Sequence, residues 1–380
     1  MKNRTKLIAV VCSIILFLGV LTSFSQRIYG THMGKSSAFF PAKVNGIQVD
    51  VSVKEEQKKE LEPFQNIDIK TDEASIRLIP GDAFKIYFCY YTDLRKLHYE
   101  NQNGMLKIWD EKNPKYTYGM DYFTISGLWN VPENKIDIYY PSNTPFQNIK
   151  IFNEYGDTQL NGITADNLAL DTHSGDADLK NICVQNMDFK VDYGDLALTC
   201  PQDFQGEQAL FALHSGNLSI LNLSCKKEIK IQSEYGDFTG QHLSGGTFES
   251  KSYSGDVKMT DIKSDKMMIS NNYGDVHLQT LTTQELQINS SNGDVTMSGN
   301  LGTNTTVTSQ NGDIDLEIAG EKSAYEYMLS SQYGELFING TVVETMHGEG
   351  IDSIQGGAGA KNKIKAESSN GSIYLSFGKK

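Results

Sequence analysis

The residues of this chain that could do chemistry are mostly carboxylates, and they recur in phase. Asp157, Asp176, Asp195, Asp237, Asp256, Asp275, Asp294 and Asp313 each follow a glycine. Two carboxyls about 5–9 Å apart in a cleft are the machinery of glycoside hydrolysis. A file of acidic oxygens could instead gather calcium, which takes about six to eight of them at roughly 2.3–2.6 Å. The spacing speaks against both. Calcium-binding β-rolls carry a Gly-rich Asp turn every nine residues or so, and two turns sandwich each ion. Here one Gly-Asp recurs per 19 residues or so, without a doubled glycine. The plainer role of Asp is to shape the turn. A catalytic centre also needs loops that wall a pocket, and the repeats leave no room for them. The arginines are Arg4, Arg27, Arg77 and Arg95, so most of the chain has no guanidinium to clamp a carboxylate or phosphate. The expected role is non-catalytic, a binding or scaffold module with no cofactor and no metal. The alternative is a carbohydrate-active β-helix enzyme, a polysaccharide lyase or hydrolase.

Tyrosine forms a second file. Tyr155, Tyr193, Tyr235 and Tyr273 precede the glycine in alternate repeats, with Ser174, Ser215 and Ser254 between them, and Tyr333 resumes the pattern. Alternate rungs of a stack lie about 10 Å apart, and Glu154, Asp192 and Glu234 stand beside three of these rings. Tyr155, Tyr193, Tyr235 and Tyr273, with Asp157, Asp195, Asp237 and Asp275, therefore make a candidate interaction edge. It would suit an extended polymer or a partner protein, since exposed Tyr is a frequent interface anchor. The competing and plainer reading folds each ring over the corner as packing, because the position shares parity with an inward residue. His173 and His214 share a phase two rungs apart, about 10 Å and too far to share a metal, and are expected at the surface. Cys89, Cys183, Cys200 and Cys225 have irregular spacing and no CxxC. Disulfides are permitted in an exported chain, and buried free thiols are the simpler expectation.

These files imply the element that carries them. The glycines at 156, 175, 194, 216, 236, 255, 274, 293, 312, 334 and 371 are 19, 19, 22, 20, 19, 19, 19, 19, 22 and 37 residues apart. Five residues before the glycine stand Ile151, Leu170, Phe189, Ile269 and Ile288; four after it stand Leu160, Leu179, Leu198, Leu278 and Leu316. Polar residues such as Asp178, Ser219, Lys258 and Asp315 fill the third position after it, as on a strand with one face inward. Each repeat is a strand, a Gly-Asp corner, a second strand and a return. No rung can bury its apolar row alone, so the rungs must stack. The expected fold class is all-β: a right-handed parallel β-helix, a single β-solenoid of about 19-residue rungs, over residues 64–380. The 37-residue interval is expected to hide a degenerate rung. Val53 to Leu61 is rich in Lys and Glu and is expected to be helical, within a linker and N-terminal cap over residues 31–63. Residues 111–130 read as a long aromatic loop, and His347 to Gly359 as a Gly-rich loop before a last rung.

Residues 1–30 read as a membrane anchor or signal segment. Lys2, Arg4 and Lys6 precede an uncharged run from Leu7 to Phe24, a length between a signal core and a spanning helix. The expectation is a single-pass cell-membrane protein with an extracytoplasmic body; secretion after signal cleavage is the alternative. The membrane, through this segment, and an envelope protein or cell-wall polymer are the expected partners. The net charge of −13 argues against nucleic acid, which needs a basic footprint.

The run Phe64-Gln-Asn-Ile-Asp-Ile69, the approach Asn134-Lys-Ile-Asp-Ile-Tyr-Tyr-Pro141, the serial Gly-Asp corners and the closing Asn370-Gly-Ser-Ile-Tyr-Leu375 resemble the bacterial "putative adhesin" family of β-helix domains of unknown function. The resemblance covers residues 64–377. It implies an envelope protein bearing a signal or anchor, in some members associated with envelope-stress systems, and it brings no catalytic residues.

Overall fold

The computed structural model describes residues 42–44, 47–49, 54–91, 95–112, 134–343 and 352–378. The expected anchor at 1–30, most of the aromatic loop at 111–130 and the first part of the Gly-rich stretch at 347–359 lie outside the described residues. The chain divides into two compact units. One comprises Met1–Lys54, Tyr91–Lys96 and Lys112–Pro132, and its described part includes an antiparallel pair, Ala42–Val44 with Ile47–Val49. The other comprises Glu55–Tyr90, Leu97–Glu111 and Glu133–Lys380 and is the solenoid. Among the described residues there is no α-helix, and one 3-10 turn at Lys322–Ala324.

From Gly156 to Gly216 each rung has a long strand before the glycine and a short one after it, for example Thr164–Ser174 and Ala177–Lys180, whereas from Phe238 to Asn311 the two run together as single 17-residue strands such as Val257–Tyr273. Strands of successive rungs pair in parallel and in register, so like positions stack. Leu160, Leu179, Leu198 and Ile220 are paired in one such column, which continues through Met259, Leu278, Met297 and Leu316. Every one of these side chains is buried. Gly240 falls in the same column, and Leu243 and Phe238 fill the space where its side chain would stand. The three-residue surplus between Gly194 and Gly216 is taken up by a turn at Pro201–Phe204, and the surplus between Gly312 and Gly334 contains the 3-10 turn.

The corner glycines are required on two counts. From Gly156 to Gly293 they have φ between +119° and +144°, where a side chain is strained. A Cβ on Gly255 would also lie 2.1 Å from the carbonyl oxygen of Gly236, and the same clash recurs along the file. A second corner lies six residues further on, and its signal in the sequence is weaker. Gly162, Asn181, Asn222, His242, Asp261 and Thr280 hold it with φ between +55° and +70°. Inside the first corner, three residues before the glycine, runs a column of small polar side chains that Val191 and Leu213 interrupt. Asn153 Nδ2 donates to the carbonyls of Ala74 and Gly156 at 2.9 Å, and Asn271 Nδ2 donates to that of Gly274 at 2.8 Å. These bonds satisfy corner carbonyls that the ladder leaves open.

Two expectations need correction at the ends, and the order of the rungs in space there departs from their order in sequence. Lys54–Glu60 is a strand, not a helix; it pairs with Lys85–Tyr91, and its side chains from Glu56 to Glu60 are exposed, as suits a sheet edge. Among the described residues the 37-residue interval shows no degenerate rung. It holds short antiparallel strands, Thr341–Val342 on Leu336–Ile338 and Asp352–Gly356 on Tyr325–Ser331. Nor is the rung last in sequence the last in space. Asn362–Asn370 pairs with Val295–Asn311 on one side and Tyr325–Ser331 on the other, so it is inserted beneath its predecessor. The other end mirrors this: Asn66–Glu73 lies between Met105–Lys112 and Pro145–Tyr155.

That inverted N-terminal pair carries a bidentate ion pair. Arg77 Nε and Nη2 donate to Asp137 Oδ1 and Oδ2 at 2.7 and 2.6 Å, and the Asp137 side chain is 3% exposed. Arg77→Met should destabilise the fold by about 3–5 kcal/mol, because it strands a buried carboxylate; combining it with Asp137→Leu should recover most of that loss in thermal unfolding. At the corner, Gly255→Val should cost about 2–4 kcal/mol from strained φ and the carbonyl clash. Lys258→Val, on the exposed face three residues away, should leave the Tm nearly unchanged. Equal Tm values for these two variants would refute the corner geometry.

Candidate functional site

The Gly-Asp corner explains the acidic file before any ligand is considered. Asp157 Oδ1 accepts the backbone N–H of Asp176 at 3.0 Å, and Asp176 Oδ1 accepts that of Asp195 at 3.0 Å. The ladder continues through Asn217, Asp237, Asp256, Asp275 and Asp294 to Asp313, whose Oδ1 accepts Ser372 N–H at 2.7 Å. One oxygen of each carboxylate is thus committed to the next rung. Lys258 Nζ donates to the free oxygen of Asp256 at 2.8 Å and holds that carboxyl below its ordinary range. Among the described residues no group of three or more His, Cys, Asp or Glu side chains is arranged to hold a metal ion.

The tyrosines lie on the outer side of this corner. The strand alternates in and out up to the polar column, and the position before the glycine then runs off the edge of the core. Tyr155, Tyr193, Tyr235 and Tyr273 are 47–50% exposed. They do not stand alone, because the intervening rungs place a ring one residue earlier: His173, His214 and Tyr253. Tyr155 meets His173 at 5.9 Å between centroids, His173 meets Tyr193 at 5.4 Å, and Tyr193 meets His214 at 5.4 Å. The series goes on from His214 to Tyr235, Tyr253 and Tyr273 at 5.9, 5.9 and 5.6 Å. Every contact is edge-to-face, the arrangement favoured by ring quadrupoles. Seven rings therefore form one zipper up the side of the solenoid. The histidines were legible as surface residues in one phase; their place between the tyrosines was not, since the two files are offset by one residue and meet diagonally.

Acids pin the histidines. His173 Nδ1 lies 3.0 Å from Asp192 Oδ2, and His214 Nδ1 lies 2.7 Å from Glu234 Oε2. The His173 contact, with Lys190 at 3.3 Å, holds the Asp192 carboxyl below its ordinary range. Beside the zipper, between the outward columns two and four residues before the glycine, runs a groove of about 640 Å³. Its lining includes His173, Asp192, Tyr193, His214, Glu234 and Tyr253 along the zipper, and Lys190, Gln232 and Lys251 opposite. The sequence predicted no such groove, because it is a trough between two columns of side chains and needs no long loop.

The groove contains two carboxylates, and Asp192 is not poised as a general acid. That role needs a carboxyl raised toward neutrality, whereas Asp192 is shifted down. Asp315, raised by burial and by Glu317, is not among the residues that line the groove. Nucleophilic thiols are absent from it too: Cys200 and Cys225 are buried free thiols pushed up to about 12 by burial. The arrangement offers rings, fixed charges and hydrogen-bond donors along a line, which is equipment for binding.

Comparison with known proteins follows this geometry. No curated protein matches the sequence. Among solved structures, a "putative cell adhesion protein" from Clostridium sporogenes is 11% identical, with 86% of this chain and 100% of that chain covered, at a TM-score of 0.27. A "putative adhesin" from Bacteroides fragilis is 12% identical, covering 70% and 96% of the two chains, TM-score 0.29. A "putative lipid binding protein" from Parabacteroides distasonis is 14% identical, covering 69% and 96%, TM-score 0.30. The family model for Toastrack DUF4097 matches twice in tandem, over residues 64–200 and 201–376, which together span the solenoid from its first rung to its last: the chain belongs to the Toastrack DUF4097 family.

Proposed function

We propose that this chain is a non-catalytic binding module, anchored in the cell envelope with its body outside the cytoplasmic membrane, and that it docks on an extended polymer or partner protein through the tyrosine edge. The observation that supports the reading most directly is the zipper itself. Large rings left half-exposed in an uninterrupted series are costly to keep in water and are the side chains that interfaces use as anchors. Their period is that of the stack, so they suit a partner that is itself periodic and extended. The carboxylates of the Asp file take backbone N–H groups, and the Asp192 carboxyl in the groove is held below its ordinary range; both facts weigh against the enzymatic alternative.

The test is to change Tyr193 and Tyr235 together to Ala and to measure binding of the purified chain to whole cell envelopes, well below the Tm. The double variant removes four edge-to-face contacts, so the Tm should fall modestly, by the equivalent of about 1–3 kcal/mol for half-exposed rings. Envelope binding should fall roughly tenfold or more, the loss expected of two interface anchors. Tyr193→Phe with Tyr235→Phe keeps the rings and should keep most of both. Unchanged envelope binding in the Ala variant would remove the edge as the site.

Orientation has its own test. A reporter fused after residue 60 should be active outside the cytoplasmic membrane and silent within it. Activity in the cytoplasm would refute the reading of Lys2, Arg4 and Lys6 as an inside flank.

A further inference from the structure

The zipper and its groove constrain what can lie on them. Between its capped ends each rung is paired in parallel on both faces, so the side of the solenoid offers no free backbone edge. A ligand there cannot add as a β-strand and must be held by side chains. It must run along the stack, across the strands, and repeat with the tyrosines. Tyr-bearing rungs recur every second rung, about 9.6 Å. An extended β-strand repeats its side chains every ~6.7 Å and falls out of step by about 3 Å at the first repeat. Two turns of α-helix advance about 10.8 Å, a drift of roughly 3.6 Å over the three intervals from Tyr155 to Tyr273. A polyproline-II helix advances about 9.3 Å per three-residue turn and drifts only about 1 Å over the same span.

Charge narrows the occupant further. The first three tyrosines each have a carboxylate on both sides at the same period: Glu154, Asp192 and Glu234 before the ring, and Asp157, Asp195 and Asp237 after the glycine. Glu154 and Asp192 are partly open to solvent, and Glu234, Asp157, Asp195 and Asp237 are exposed; Asp192 also meets His173 and Lys190, and Glu234 meets His214. A cation held near both an acid and a ring face gains from each. The opposite wall supplies Gln232, together with Lys190 and Lys251, whose ammonium groups already meet Asp171, Asp192 and Glu249 and keep further N–H donors for the unpaired carbonyls of a polyproline-II backbone.

We propose that the occupant of the tyrosine edge is a basic polypeptide segment in the polyproline-II conformation, lying along the stack with one residue in three seated at each tyrosine. This rests on the edge being the docking site, as argued above, and names its partner. The preformed helix binds at low ordering cost, and its prolines stack on aromatic rings.

The experiment is fluorescence anisotropy with the full-length chain and four probes: a Lys-Pro-Pro repeat peptide, a composition-matched peptide with irregularly spaced lysines, a Glu-Pro-Pro repeat, and an aminated oligosaccharide of similar length. The Lys-Pro-Pro repeat should bind roughly tenfold tighter than the irregular peptide, and the Glu-Pro-Pro repeat should not bind. Glu154→Gln, Asp192→Asn and Glu234→Gln together should weaken the Lys-Pro-Pro repeat by roughly tenfold at a nearly unchanged Tm. Equal binding of both basic peptides would overturn the proposal, leaving charge without register. Tighter binding of the oligosaccharide would overturn it in favour of a glycan. If no peptide binds while the Tyr193→Ala, Tyr235→Ala variant still loses envelope binding, the occupant is wrong and the edge stands. If that variant also keeps its envelope binding, both readings fall.

Discussion

The structure depends on how closely one rung approaches the next at the glycine corner. A carbonyl oxygen sits about 2 Å from where the next glycine's Cβ would be, so the backbone can stack there because no side chain intervenes. The aspartate beside it converts that approach into a bond, handing one carboxylate oxygen to the N–H of the rung above. Between them the two residues fix vertical spacing and lateral register at the same point. With register fixed, a period-two strand pattern becomes a set of continuous columns: apolar ones inside, a polar one under the corner and mixed ones outside. Each exposed position is then repeated at fixed height, and a side chain recurring every second rung becomes a ruler.

That constraint also separates structural carboxylates from functional ones. An acidic file about 4.8 Å in period invites readings as calcium site or catalytic dyad. The ladder answers them with geometry, since Asp157, Asp176 and their successors already serve the backbone. The acids that stand beside the rings are those in the other file, Glu154, Asp192 and Glu234. Asp192 and Glu234 are held by histidines that themselves wedge between tyrosines. The edge is therefore preorganised: ring, acid and ring are locked by contacts within the solenoid, and a partner need not order them.

The solenoid was legible in the sequence because its signals are local and repeated. The corner needs Gly for a reason that recurs in every rung, and Leu179 or Leu278 is apolar for a reason its column shares. What could not be read lies where the reason is diagonal or distant. His173 meets Tyr193 across a rung boundary and one residue out of phase, so no single-position column shows it. The second corner is held by Asn181, Asp261 and Thr280 alike, residues too varied to announce a left-handed turn. Lys54–Glu60 has the composition of a helix and becomes a strand because an edge partner, Lys85–Tyr91, is there to pair with it.

The ends show why binding belongs on the side. A parallel stack ends in a row of unpaired donors and acceptors, an open template for another chain. Here both ends are closed by the same stratagem. The rung nearest each end of the repeat in sequence is tucked one place inward, and the rung displaced outward is covered by an antiparallel strand: Lys85–Tyr91 over Lys135–Pro141 at one end, Asp352–Gly356 over Tyr325–Ser331 at the other. Because the inserted rungs pair on both faces, fraying of a cap does not expose the long middle of the stack. Growth along the axis is thereby blocked, and the repeated lateral surface is where a periodic partner meets a periodic face. On that surface the zipper from Tyr155 to Tyr273 is the apolar feature that repeats without interruption, and it sits in the regular middle, where register is least disturbed by the caps.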